Sequence, residues 1–273
     1  MLWIAWYACP WDHDRVQSRG HGISDVGRRR LANEDAYLVD DALGLYVVAD
    51  GMGGHRAGEV ASSEAIDALR GMVRDDEAQL APVELLVPDL PMQHEAPTAL
   101  QAAMRVMERA VQAATYMVYG ISQALPEHHG MGTTLSALLL RGHYAVVTQV
   151  GDSRIYRIRG WDVSQLTEDH TLVAWQMKKG LITAEQAKTS RQRNVITRAV
   201  GSKEYVQVDT HVVAVQPGDG FLLCSDGLHG YVQPDELPSL FNLGLELAAQ
   251  RAVELANQRG GKDNITAIFV VVE

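Results

Sequence analysis

Four apolar runs that each meet an aspartate at one end constrain this 273-residue chain more than any other feature. Residues 45–49 stop at Asp50-Gly51-Met52-Gly53-Gly54, and residues 144–150 stop at Gly151-Asp152. Residues 220–224 stop at Ser225-Asp226-Gly227, while Asp263-Asn264 leads into residues 265–271. A short apolar run bounded by turn residues reads as a buried strand, so each acid stands at a strand end. Taken singly, Asp-Gly after a strand is also what an ordinary turn looks like. Hairpin geometry can bring such ends to one sheet edge, where gathered carboxylates repel and raise one another's pKa. A divalent cation relieves that penalty. Oxygen ligands without a convincing His or Cys partner favour Mg2+ or Mn2+ over zinc. The glycines after Asp50 suit a close backbone approach, such as an ion held partly by a carbonyl oxygen.

The length allows one large domain or two small ones, and 47% hydrophobic residues supply a core. A net charge of −10 argues against non-specific nucleic-acid binding and against an anionic membrane surface. Cys9 and Cys224 are too few for a disulfide framework, which points to a reducing cytoplasm. No apolar run approaches the ~20 residues of a membrane helix. Residues 1–11 are apolar but lack a basic n-region and a small-residue cleavage site. They are read as a first strand or an arm, not a signal peptide.

Residues 12–27 are polar and glycine-punctuated, with at most a strand before Ser24. Residues 36–39 read as a strand. After the glycine loop, Val60, Ala61, Ala65, Ala68, Leu69, Met72 and Val73 fall on one helical face. Pro82, Pro88, Pro91 and Pro97 break the periodicity, so 75–97 reads as a surface excursion. Thr98 opens a long helix, with Gln101 placed for a capping box and Met104 and Met107 in its core stripe. Strands are expected at 133–140, 144–150, 155–158, 206–215, 220–224 and 265–271. A helix over 245–258 closes at Gly260. Residues 171–194, polar and basic with helical hints at 172–179 and 184–188, form a flap.

Six separated motifs occur in one order: Arg30-Leu31-Ala32-Asn33-Glu34-Asp35, Asp50-Gly51-Met52-Gly53-Gly54, Gly130-Met131-Gly132-Thr133-Thr134, Gly151-Asp152-Ser153-Arg154, Ser225-Asp226-Gly227 and Asp263-Asn264. From about Ser24 onward the sequence resembles the metal-dependent serine/threonine protein phosphatases (the PPM, or type 2C, family) in their compact bacterial form. The resemblance implies a four-layer α-β-β-α sandwich, two antiparallel sheets flanked by helices, with a small flap subdomain. The expected division is an N-terminal segment of uncertain structure, 1–23, and a phosphatase domain, 24–273. It implies two or three Mn2+ or Mg2+ ions. Asp50 would bridge two ions, the Gly51 carbonyl would bind one, and Asp226 and Asp263 would complete the first shell. Glu34 would stand near the second ion with Asp35 behind it, and Asp152 would help hold a weaker third.

The implied chemistry is attack on phosphoserine or phosphothreonine by a metal-activated water, with no phosphoenzyme. Arg30 is the expected phosphate ligand, because its planar fork binds two oxygens at once. Where animal relatives carry a histidine after the Asp-Gly, this chain has Met52, as bacterial relatives commonly do. That leaves His55 or a metal-bound water as the proton donor. His170 is expected to brace the base of the flap. Ser153, Ser225 and Cys224 have no His–Asp relay arranged around them and are read as packing residues. The leading reading is a cytoplasmic, monomeric phosphatase opposing a bacterial-type Ser/Thr kinase. The same chemistry on regulatory proteins such as anti-sigma antagonists differs from it only in substrate. The alternative is a non-catalytic module that binds phosphoproteins or a regulator. A degenerate module would be expected to lack a metal acid, and none is missing.

Overall fold

The computed structural model describes residues 17–53, 56–80 and 98–273. His55 and residues 81–97 of the proline-rich excursion lie outside them, as do residues 1–16. Strands β1 (Ser18–Asp25), β2 (Asp35–Asp40) and β3 (Leu45–Met52) come first, then helices α1 (Arg56–Asp75) and α2 (Thr98–Ala124). Strands β4 (Gly132–Thr133), β5 (Leu135–Arg141), β6 (Tyr144–Val150), β7 (Arg154–Arg159) and β8 (Asp162–Gln165) follow. The flap carries the short helices α3 (Leu172–Lys178) and α4 (Ala184–Thr189). Strands β9 (Asp209–Ala214) and β10 (Gly220–Cys224), helices α5 (Asp226–His229), α6 (Leu237–Phe241) and α7 (Leu245–Gln258), and strand β11 (Ile265–Val272) complete the chain.

The strands form two antiparallel sheets, ordered β1-β11-β10-β7-β8 and β2-β3-β5-β6-β9, with β4 paired to β3. Alternation along β3 shows why they stack. Tyr46 and Val48 point into the layer between the sheets, against Phe221, Leu223, Ile268 and Val270. Leu45, Val47 and Ala49 point the other way, onto the helix pair α1 and α2. Both faces are apolar, so the strand must be covered twice. Ala57, Ala61, Ala65 and Leu69 give α1 a stripe at i, i+4 spacing that lies flat on the sheet. Met107 of α2 is fully buried there. On the far side, Ala248, Ala249, Ala252 and Ala256 of α7 pack with Leu222 and Phe269. Two sheets, three apolar layers and helices outside make the four-layer sandwich, each buried Leu or Phe contributing about 1.5–3 kcal/mol.

The strand found before Ser24 is longer than the sequence suggested. β1 begins at Ser18 and runs antiparallel to β11 with Ser18 opposite Val272. The flap is closed at its base by a bridge between Thr171 and Ile196.

Candidate metal centre and active site

Asp35 and Asp50 are direct partners in the β2–β3 ladder, so two carboxylates face one another across neighbouring strands. Like charges so placed are destabilising unless something neutralises them. Burial above all, then the charges of Asp35, Asp226, Asp152 and Asp263, push the Asp50 carboxyl well above the usual range. Burial, with Asp226 next, moves Asp152 up to about 7. Burial and Asp263 raise Asp226 to about 6. Acids from β3, from the loop after β6, from the start of α5 and from the loop before β11 therefore share one electrostatic neighbourhood. Glu34 is buried beside it. A Cβ on Gly58 would come within 2.8 Å of the Glu34 carboxyl carbon, and one on Gly51 would lie 2.1 Å from the Gly58 carbonyl oxygen. Gly227 is equally enclosed, its notional Cβ 1.9 Å from the Asn264 carbonyl oxygen. The glycines are there because the acid-bearing loops press together.

Each loop is fixed through its backbone. The Asp50 amide donates to Thr134 Oγ1 at 2.9 Å, and the Asp50 carbonyl accepts from the Thr134 amide at 2.9 Å and from Thr133 Oγ1 at 2.9 Å. Thr134 Oγ1 also bonds Ser153 Oγ at 2.8 Å, which couples the Asp50 strand to the Asp152 loop. Gln149 Nε2 donates to the carbonyls of Gly151 (2.9 Å) and Ser153 (2.7 Å). Asn264 is a hub. Its Oδ1 accepts from the Glu34 amide at 2.9 Å, and its Nδ2 donates to the carbonyls of Val26 (3.0 Å) and Ala32 (2.9 Å).

His170 braces the flap base and also the Asp152 loop. Its Nδ1 accepts from the Gly151 amide at 3.1 Å, which leaves the proton on Nε2, 2.9 Å from Asp209 Oδ2. Its carbonyl accepts from the Thr197 amide at 2.8 Å. Burial lowers its pKa, keeping the ring neutral. His229, which the sequence reading passed over, donates from Nε2 to the Asp152 carbonyl at 3.0 Å, and burial takes its pKa down to about 4. The available signal was its place one helical turn after Asp226.

Asp35 Oδ2 accepts from Ser225 Oγ (2.8 Å) and Thr266 Oγ1 (2.6 Å), yet its buried Oδ1 has no hydrogen-bond partner among the described residues. Burial raises this carboxyl to about 7 against the pull of those hydroxyls. Ser225 is thus a bridge between strands, Ser153 is tied to Thr134, and Cys224 is buried with its thiol pushed up to about 12. No serine or cysteine nucleophile is set up at any of the three positions. Arg30 reaches the centre from the β1–β2 loop and pairs through Nη2 with Asp263 Oδ2 at 2.7 Å, half-exposed, in the field of Glu34 and Asp50. Among the described residues, no group of three or more His, Cys, Asp or Glu side chains is gathered closely enough to hold a metal ion unaided.

Residues 27–258 match the profile of protein phosphatase 2C. The serine/threonine phosphatase stp of Listeria monocytogenes serotype 4b is 36% identical over 252 residues, covering 90% of this chain and 93% of that protein. The protein phosphatase PhpP of Streptococcus pneumoniae serotype 2 is 33% identical over 256 residues, covering 91% and 95%. The structure of the Mycobacterium tuberculosis serine/threonine phosphatase PstP/Ppp superposes with a TM-score of 0.80 at 32% identity, over 94% of this chain and 100% of that one. The catalytic domain of PstP in complex with two manganese ions gives 0.77 at 32% identity, over 94% and 99%. Fold and sequence together define a protein serine/threonine phosphatase. The chain belongs to the protein phosphatase 2C family.

Proposed function

We propose that this enzyme hydrolyses phosphoserine and phosphothreonine at a centre of Mn2+ or Mg2+ ions held by Asp50, the Gly51 carbonyl, Glu34, Asp152, Asp226 and Asp263. The observation that carries the assignment is the Asp35–Asp50 pair, face to face in one ladder, the buried Asp35 Oδ1 having no hydrogen-bond partner among the described residues. Such an arrangement is stable only beside a cation or a proton. The donor set is all oxygen. That suits Mg2+ or Mn2+, which favour oxygen ligands; Mg2+ in particular keeps several waters and takes one or two carboxylates. When bound, the ions supply Lewis acidity and a water of lowered pKa.

The chain's own residues do the positioning. Arg30, swinging from Asp263, grips the non-reacting phosphoryl oxygens with two parallel N–H donors. Thr133 and Thr134 hold the Asp50 backbone, Asn264 holds Glu34, and Asp35, fixed by Ser225 and Thr266, backs the centre. The proton donor to the leaving alkoxide is a bound water or His55. The substrates are phosphoproteins of a Ser/Thr kinase pathway, and the enzyme acts in the cytoplasm as a monomer. Among the described residues no helix is long and apolar enough to cross a membrane. Residues 24–273 are one catalytic domain, with the flap at 171–194.

Hydrolysis of para-nitrophenyl phosphate, measured with Mn2+, with Mg2+ and with EDTA, tests the reading. Release that depends on metal and stops in EDTA is expected. Divalent ions bound calorimetrically without turnover would refute it in favour of a phosphoprotein-binding module.

A further inference from the structure

We propose that the flap docks acidic sequence flanking the substrate's phosphoresidue, through Lys179, Arg191 and Arg193 together with the exposed Trp175. The proposal rests on the phosphatase reading and adds a substrate class to it. Residues 171–194 hold five Lys or Arg against one acid, Glu185, in a chain whose net charge is −10. Two of the five are spent locally: Lys178 pairs with Glu168 at 2.7 Å and Lys188 with Glu185 at 3.2 Å. Lys179, Arg191 and Arg193 are exposed, and among the described residues their side chains make no ion pair. Lys179 is the C-cap of α3, its amide donating to the Trp175 carbonyl at 3.0 Å, and Trp175 is 51% exposed. Leu181 and Val195 are exposed on the same subdomain.

The flap is rooted where a substrate must pass. The Leu172 amide donates to the Val195 carbonyl at 2.8 Å, closing the base, and the His170 amide donates to the Gly151 carbonyl at 2.9 Å, one residue from Asp152. A peptide whose phosphate enters the acidic centre, and whose chain leaves on the Asp152 side, runs onto this surface. Acidic residues there would otherwise face an acid-rich enzyme, and the three open guanidinium and ammonium groups reverse the local sign. The effect is short-ranged, because charges beyond about 8 Å are screened at physiological salt. Exposed pairs are individually weak, so three of them give about a 5- to 30-fold gain in kcat/KM.

The test uses the full chain with Mn2+ and two phosphothreonine peptides of equal length, one flanked by Asp and Glu, the other by Asn and Gln. The acidic peptide is expected to be cleaved with the higher kcat/KM at 50 mM NaCl, and the ratio to shrink toward one at 500 mM. In the Lys179→Glu, Arg191→Glu, Arg193→Glu variant the ratio falls to one or below. Equal kcat/KM for the two peptides, in wild type that turns over para-nitrophenyl phosphate, would overturn the docking proposal alone. No turnover of para-nitrophenyl phosphate would overturn the phosphatase reading with it. Peptide indifference together with binding to anionic vesicles, lost in the variant, would reassign the patch to a lipid surface.

Discussion

Thr134 gives the sharpest test of how the centre is held. It is fully buried, and its hydroxyl serves both the Asp50 amide at 2.9 Å and Ser153 Oγ at 2.8 Å. Thr134→Val keeps the shape but orphans both groups, at about 1–3 kcal/mol each, so a loss of about 2–6 kcal/mol is expected. Thr134→Ser keeps the hydroxyl and removes only the methyl that packs on Gly151, where a Cβ would lie 2.6 Å from it. That change should cost about 1 kcal/mol. Urea unfolding without metal reads both losses as midpoint shifts at constant slope. In the Mn2+-loaded enzyme the valine variant should also lose about 10- to 100-fold in kcat, because Asp50 and the Asp152 loop lose their common anchor. A valine variant as stable and as active as the serine variant would show that the hydroxyl bridge does not hold the centre.

Other expectations follow from the same geometry. Asp226→Asn should abolish hydrolysis while circular dichroism stays native, and near-normal turnover would remove Asp226 from the metal shell. Arg30→Ala should raise KM for a phosphopeptide more than it lowers kcat, and an unchanged KM would take Arg30 out of the phosphate site. The folded protein holds protons on Asp35 and Asp152 up to about pH 7, whereas the unfolded chain has released them by about pH 5. Stability must therefore fall as pH rises from 6.5 to 8.5, and the fall is only partly offset below about pH 7.5 by His170, His211 and His229, whose folded forms are neutral while their unfolded forms still carry part of a proton. Metal-free protein should lose about 1–2 kcal/mol between pH 6.5 and 8.5, seen by thermal unfolding in EDTA, and Mn2+ should remove the slope. A metal-free stability that is flat or rises over this range would contradict a buried carboxylate cluster.

Elements whose own chemistry decides their fate were legible in the sequence. β6, β10 and α7 fall at the residues expected, because continuous apolar runs or an alanine stripe leave one way to be buried. β1 was obscured for a physical reason. Cβ atoms on Gly20 and Gly22 would lie 2.5 Å from the rings of Tyr46 and Tyr37, so these glycines make room for aromatic neighbours that only the sheets supply. β8 is a short edge strand whose single apolar residue, Val163, is too little for a strand signal. In the site, the acids could be seen because strand ends announce them. The clasps could not: the roles of Thr133, Thr134, Asn264 and His229 depend on partners far away in sequence, such as Thr134 with Asp50 across 84 residues.

The pairing of β1 with β11 carries a consequence for how the enzyme is made. β11 lies between β1 and β10, and Asn264, just before it, ties down the loop that carries Glu34. Synthesis runs from the N-terminus, so a ribosome must finish residues 263–272 before β1 has a neighbour or the acids their last member. The β2-β3-β5-β6 sheet with α1 and α2 can assemble earlier from shorter-range pairings, while closure by β11 waits on the longest loop in the fold. A nascent chain still short of β11 leaves β1 without a partner and β10 open on one side, so the β1-β11-β10-β7-β8 sheet closes only with the last strand.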